Sequence, residues 1–88
     1  MITYLDREIM LITQEECAEV TQAISKVFRF GFLSYHNGKS NRQHLAEELG
    51  DLQCMIDLVV GTGMVTQEEL NAAKEAKREK LKTWSNIK

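Results

Sequence analysis

Two acidic clusters carry the chemistry that this chain can do: Glu15, Glu16 and Glu19 in the first, Glu48 and Asp51 in the second. In an α-helix, residues three or four apart share a face. Glu16 therefore points with Glu19, and Glu48 with Asp51. Glu16 falls between Ile12 and Val20/Ala23 on an apolar stripe, and Glu48 falls between Leu45 and Leu52 on another. An unpaired acid at such an inward-leaning position is costly. If the two helices pack together, four carboxylates meet in space that apolar side chains otherwise fill. Like charges that close stay ionised only beside a compensating cation.

The ligand type narrows the cation. Di-iron carboxylate bundles use Glu-x-x-His pairs, and neither cluster has a histidine at that offset. This disfavours a carboxylate-bridged redox metal protein. An all-oxygen site suits Mg²⁺, with Mn²⁺ as a substitute. Magnesium held by carboxylates shares the rest of its shell with waters and substrate phosphates, which points to phosphate-ester or phosphoanhydride chemistry.

The elements that must position these acids are helices. The chain has 88 residues, no proline, and a formal net charge of −2. That length predicts one small domain over residues 1–88, with a core that buries only about 60% of the unfolded chain's surface. Domains of this size without disulfides often draw on a metal or on oligomerisation. The charge balance gives no reason to expect a nucleic-acid polymer as partner. Cys17 and Cys54 lack C-x-x-C spacing and read as reduced, small apolar residues. With no basic-plus-apolar leader, and an apolar run near Leu52–Val60 interrupted by Asp57, the expectation is a cytoplasmic protein without a membrane span.

Apolar spacing of three and four predicts a first helix from about Thr3 to Phe30, ended by Gly31. A break at Thr13 is the alternative, since Thr13-Gln14-Glu15-Glu16 also reads as a capping box. One helix is preferred, because the stripe keeps its phase through Thr13. Residues Phe32 to Lys39 read as a loop. A second helix starts at Ser40 or Asn41 and runs through Val59, more apolar beyond Leu52 than one small bundle can bury. Thr66-Gln67-Glu68-Glu69 is a capping box opening a third helix through roughly Lys82. The fold class predicted is all-α, an antiparallel bundle of about three helices per chain, completed by oligomerisation.

The acidic clusters with their surroundings, QEECAEVTQAISKVFRFG and NRQHLAEELGDLQCMIDLV, carry a resemblance. Glu15-Glu16-x-x-Glu19 followed by Glu48-x-x-Asp51 resembles the E-E-x-x-E…E-x-x-D signature of the MazG-like, all-α nucleoside triphosphate pyrophosphohydrolases, in their compact phage and bacterial form. The resemblance covers about Thr3 to Trp84. It implies Mg²⁺-dependent cleavage between the α and β phosphates of a nucleoside or deoxynucleoside triphosphate. By the family pattern, Glu16, Glu19, Glu48 and Asp51 would be metal ligands, and Glu15 a further ligand or the group that orients the water.

Lys26 and Arg29 share a stripe with Glu15 and Glu19 and would extend the site toward the phosphates. Lys77 and Lys80 on the third helix are candidates for the same task, and the resemblance implies that such cations sometimes come across a subunit boundary, here in a homodimer or homotetramer. Basic residues near a helix C-terminus also need no special function. Tyr35, His36, Asn37 and Lys39 are richer than a connector requires, and loops often carry specificity. The competing reading keeps the acids without turnover: a non-catalytic helical interaction module with a structural divalent-metal site.

Overall fold

The structure, a computed structural model, describes residues 2–87. The two ends of the expected 1–88 domain lie outside the described residues. Helix α1 spans Tyr4–Phe30. It opens on a capping box in which Asp6 N donates to Thr3 Oγ1 (3.0 Å) and Thr3 N donates to Asp6 Oδ2 (3.2 Å). Such a cap is worth about 1 kcal/mol. The helix passes Thr13 unbroken, because the Thr13 hydroxyl donates back to Ile9 O at 2.7 Å instead of capping a new start. Gly31, at φ 95°, ends it and returns its N–H to Val27 O.

The segment expected as a loop holds a small hairpin instead. Strand β1 (Tyr35–His36) pairs antiparallel with β2 (Lys39–Ser40), Tyr35 opposite Ser40 and His36 opposite Lys39. Asn37 (φ 52°) and Gly38 (φ 81°) form its two-residue turn. Positive φ at both central positions is what the twist of a tight hairpin demands, and Asn-Gly supplies it at least cost.

Helix α2 (Asn41–Gly61) begins at once, with Ser40 and Gln43 as a reciprocal capping box. A short turn through Thr62 and Gly63 leads to α3 (Gln67–Trp84), capped by Thr66 and Glu69. The fold is thus all-α, with three helices and one minimal sheet among the described residues.

Helices α1 and α2 pack as an antiparallel pair. At one end, Asn41 Nδ2 donates to Gly31 O at 2.9 Å, and the amides of Asn41 and Arg42 bond to Ser34 O and Phe32 O. At the other, Ile2, Asp6 and Met10 of the first arm face Thr62, Gly63 and Met64 across an open cavity. Between these ends Ile9, Ala23 and Met55 are the buried apolar residues among those described.

Helix α3 packs only lightly on this pair, and the protomer is flat, 44 × 36 × 14 Å. Phe28 and Trp84 are 85% and 81% exposed in the protomer. Cys17 and Cys54 are free thiols, as expected, but both are exposed rather than packed. Asp57 is exposed too, although its sequence neighbours are apolar. Among the described residues, no helix is long and apolar enough to cross a membrane.

Candidate metal centre

Halfway along the helix pair the apolar seam gives way to acids. Glu16 comes from the middle of α1, and Glu48 and Asp51 from the facing stretch of α2. Each offers a carboxylate oxygen, and the three oxygens lie within 4.8 Å of one another. Antiparallel packing brings this about, since it sets the centre of one helix against the centre of the other. Glu16 and Glu48 are half-buried, whereas Asp51 is exposed at the mouth.

Partial burial raises the Glu16 carboxyl above its ordinary value, and the negative charges of Asp51, Glu48, Glu19 and Glu15 raise it further. Both causes disfavour a second nearby anion and favour a cation. Among the described residues, no lysine or arginine pairs with Glu16 or Asp51. Three carboxylates, two of them without a basic partner among the described residues and with oxygen as the sole donor element, fit a hard divalent ion such as Mg²⁺ or Mn²⁺.

The remaining candidate residues fall in different places. Glu15 and Glu19 are exposed and stand outside the three-oxygen set, acting on Glu16 through their charge. Lys26, half-buried on α1, lines an open cavity of about 270 Å³ at the hairpin end of the helix pair. Arg29 lies over the ring of Phe30, its guanidinium carbon 4.8 Å from the centroid, a cation–π contact within its own helix. Lys77 and Lys80 are exposed on α3. With α3 packed so lightly on the other helices, no ion pair among the described residues joins these two lysines to the acids.

Two polar partners escaped the sequence reading. His44 Nε2 lies 3.1 Å from Glu48 Oε1, one helical turn away. The i,i+4 spacing of His44 and Glu48 was the available signal, hidden because Glu-x-x-His was the pattern sought. Lys39 Nζ donates to Glu47 Oε2 at 2.8 Å, tying the hairpin to α2.

No curated relative and no solved structure matches the chain. A family model, the MazG nucleotide pyrophosphohydrolase domain, matches residues 6–62, the stretch that contains α1 from Asp6 onward, all of α2 and all of the clustered acids. The chain therefore belongs to the MazG nucleotide pyrophosphohydrolase family.

Proposed function

We propose that this protein is a Mg²⁺-dependent pyrophosphohydrolase that cleaves the α–β phosphoanhydride of nucleoside or deoxynucleoside triphosphates. Water adds across that P–O–P link, and the products are a nucleoside monophosphate, pyrophosphate and a proton. The observation that carries the reading is the meeting of Glu16, Glu48 and Asp51 oxygens within 4.8 Å in a chain of this family. These three, with Glu19, would hold the ion, and Mn²⁺ would substitute for it. When bound, the metal neutralises phosphate oxygens and lowers the pKa of a coordinated water.

The chain's own residues do the rest. Glu15 is a further ligand or the group that orients the attacking water, and the neighbouring carboxylates offer the proton a route to solvent. Lys26, at the edge of the hairpin-end cavity, and Arg29 offset the negative charge of the substrate. His44 holds the Glu48 carboxylate from the side away from Asp51's turn of α2, fixing its orientation.

The active form in this reading is a homodimer or homotetramer working in the cytoplasm. Support for assembly is the amount of apolar surface left open. Leu5, Leu11, Phe28, Leu49, Leu58 and Trp84 are each more than 40% exposed, and surface of that kind marks protein contacts. A neighbouring copy would also bring the α3 cations Lys77 and Lys80 to the phosphates.

The test is a panel of nucleoside and deoxynucleoside triphosphates with Mg²⁺ or Mn²⁺, resolving monophosphate plus pyrophosphate from diphosphate plus phosphate. The first product pair is expected. Absence of turnover on every nucleotide, from a folded protein that binds no divalent ion, overturns the reading.

A further inference from the structure

Two open cavities meet where the hairpin joins the helix pair. One, of about 270 Å³, is lined by Lys26, His36, Asn37, Lys39, Asn41 and His44. The other, of about 210 Å³, adds Phe30, Ser34 and Tyr35. They share Lys26, His36 and Asn41, so they are two compartments of one groove. Their chemistry differs. The first is walled by Lys26, Lys39, His36 and His44, with the Lys39 ammonium also paired to Glu47 at 2.8 Å, and the second adds two aromatic rings to Lys26 and His36.

The groove has a direction set by the acids. His44 lines the basic compartment and contacts Glu48 at 3.1 Å, so that compartment adjoins the metal centre. Asn41 precedes Glu48 by about 10 Å of helix at the usual rise, and the aromatic rings line the compartment that does not include His44. Outward from the acids come His44, then Lys26, His36 and Asn41, which line both compartments, and the rings of Phe30 and Tyr35, which line the second alone. A nucleotide presents phosphates, sugar and base in the matching order.

Asn41 is the fixed point of the groove. Only 5% exposed, it donates from Nδ2 to Gly31 O at 2.9 Å and to Lys26 O at 3.5 Å. Among the described residues no donor reaches its Oδ1. That oxygen is not sealed off either, since no buried polar side-chain atom is left without a partner. It therefore keeps some access to solvent, and Asn41 lines both compartments of the groove. A buried amide whose nitrogen is already committed offers a rigid acceptor, and such an acceptor selects ligands that carry a hydroxyl or an N–H there.

We infer that the Tyr35–Ser40 hairpin, with Phe30 and Asn41, is the nucleoside-recognition element of this protein. The base lies against Phe30 and Tyr35. A sugar hydroxyl or base N–H donates to Asn41 Oδ1. The phosphates run past Lys26 and Lys39 to the carboxylates. Rings accept any base face, while the amide oxygen discriminates by hydrogen bonding. The identity of the ligand as a nucleotide rests on the proposed hydrolysis.

The test follows backbone and side-chain amide resonances of the full chain in Mg²⁺. One probe is a nucleoside triphosphate with a non-hydrolysable α,β-methylene link, and the other is inorganic tripolyphosphate. The nucleotide is expected to shift Phe30 to Asn41, the Asn41 side-chain amide included. Tripolyphosphate is expected to move Lys39 and His44 but leave Tyr35 in place. Tyr35→Ala removes a ring that is 70% exposed, so the fold survives. It is expected to weaken the nucleotide about fivefold or more and to leave tripolyphosphate binding unchanged.

Nucleotide shifts confined to the acidic cluster, or equal movement of Tyr35 by tripolyphosphate, overturn the inference. Hairpin shifts in a protein that hydrolyses no nucleotide would keep it and sink the hydrolase reading instead. A protein that binds no nucleotide at all sinks both.

Discussion

His44 Nε2 sits 3.1 Å from Glu48 Oε1, and the two side chains are 29% and 14% exposed. The contact joins the basic groove at the hairpin to the acids at the middle of the helix pair. A histidine so placed fixes the rotamer of a ligating carboxylate, and loss of such an outer partner typically costs 10–100-fold in metal affinity. His44→Ala is therefore expected to raise the Mg²⁺ concentration for half-maximal activity about tenfold or more. His44→Gln, which keeps a donor of similar reach, should recover part of the loss. A Mg²⁺ titration at saturating nucleotide reads this out, and equal curves for all three proteins would refute a positioning role.

Removing one carboxylate should separate catalysis from folding. Glu16→Gln and Glu48→Gln keep side-chain volume while withdrawing an anion from the cluster. Turnover should fall on the order of 10²–10³-fold, comparable to the loss of a key electrostatic contact at a reacting centre. Circular dichroism and thermal melting should show an intact fold. A variant that unfolds instead would favour the structural-ion reading, in which the acids and their ion hold the helices together.

Glu16 also predicts a pH dependence, with the sign opposite to the usual carboxylate. Its folded-state pKa lies above the ordinary 4.5 because of burial and the acids around it. The folded state thus holds this proton more tightly than the unfolded chain. As pH rises from about 4.5 through the raised value, the group loses stability for the fold. Glu69 works the other way. Hydrogen bonds from the Thr66 backbone and hydroxyl lower its pKa, so its stabilisation is present above 4.5 and is lost as pH falls through the lowered value. In chelator, the melting temperature of Glu16→Gln minus wild type should grow as pH rises above 4.5, and Mg²⁺ should raise the wild type alone. A difference that stays flat across that window would contradict the raised pKa.

Two glycines should respond in opposite directions. Gly38 sits at φ 81° with open space around it, so Gly38→Ala incurs only a backbone cost of about 1 kcal/mol. Gly50 lies within α2 and also has nothing within 4 Å of an added Cβ. Gly50→Ala should therefore stabilise the helix by about 0.5–1 kcal/mol. Denaturant unfolding compares them. A destabilising Gly50→Ala would mean that another chain covers that face.

Assembly through α3 can be tested by complementation. A Lys77→Ala/Lys80→Ala chain and a Glu16→Gln chain should each be impaired alone. Mixed and reannealed, they should regain part of the activity if α3 lends its lysines to a neighbour's acids. Sedimentation should give a mass that is a multiple of 10.1 kDa. A monomer at working concentration, with no rescue on mixing, counts against the shared site.

Much of the fold was legible because its signals are local. Thr3 with Asp6, Ser40 with Gln43 and Thr66 with Glu69 all form the reciprocal caps their spacing announces. The unbroken passage of α1 through Thr13 followed from the phase of its apolar stripe. The hairpin at Tyr35–Ser40 was missed although Asn37-Gly38 is a strong turn signal, because its strands are too short to show an alternating pattern.

The spacing within each acidic cluster depends on helix periodicity alone, so the sequence by itself determined which acids share a face, and their oxygen donors are the ground for proposing a hard ion. Which acids meet was left to the tertiary structure. The offset between α1 and α2 places Glu16 with Glu48 and Asp51 and leaves Glu15 and Glu19 outside that set. The same packing buries Asn41 at the groove and sets His44 beside Glu48, while α3 stays nearly free of the pair. Such placements depend on how two helices slide and rotate against each other, and no spacing along one chain segment encodes that.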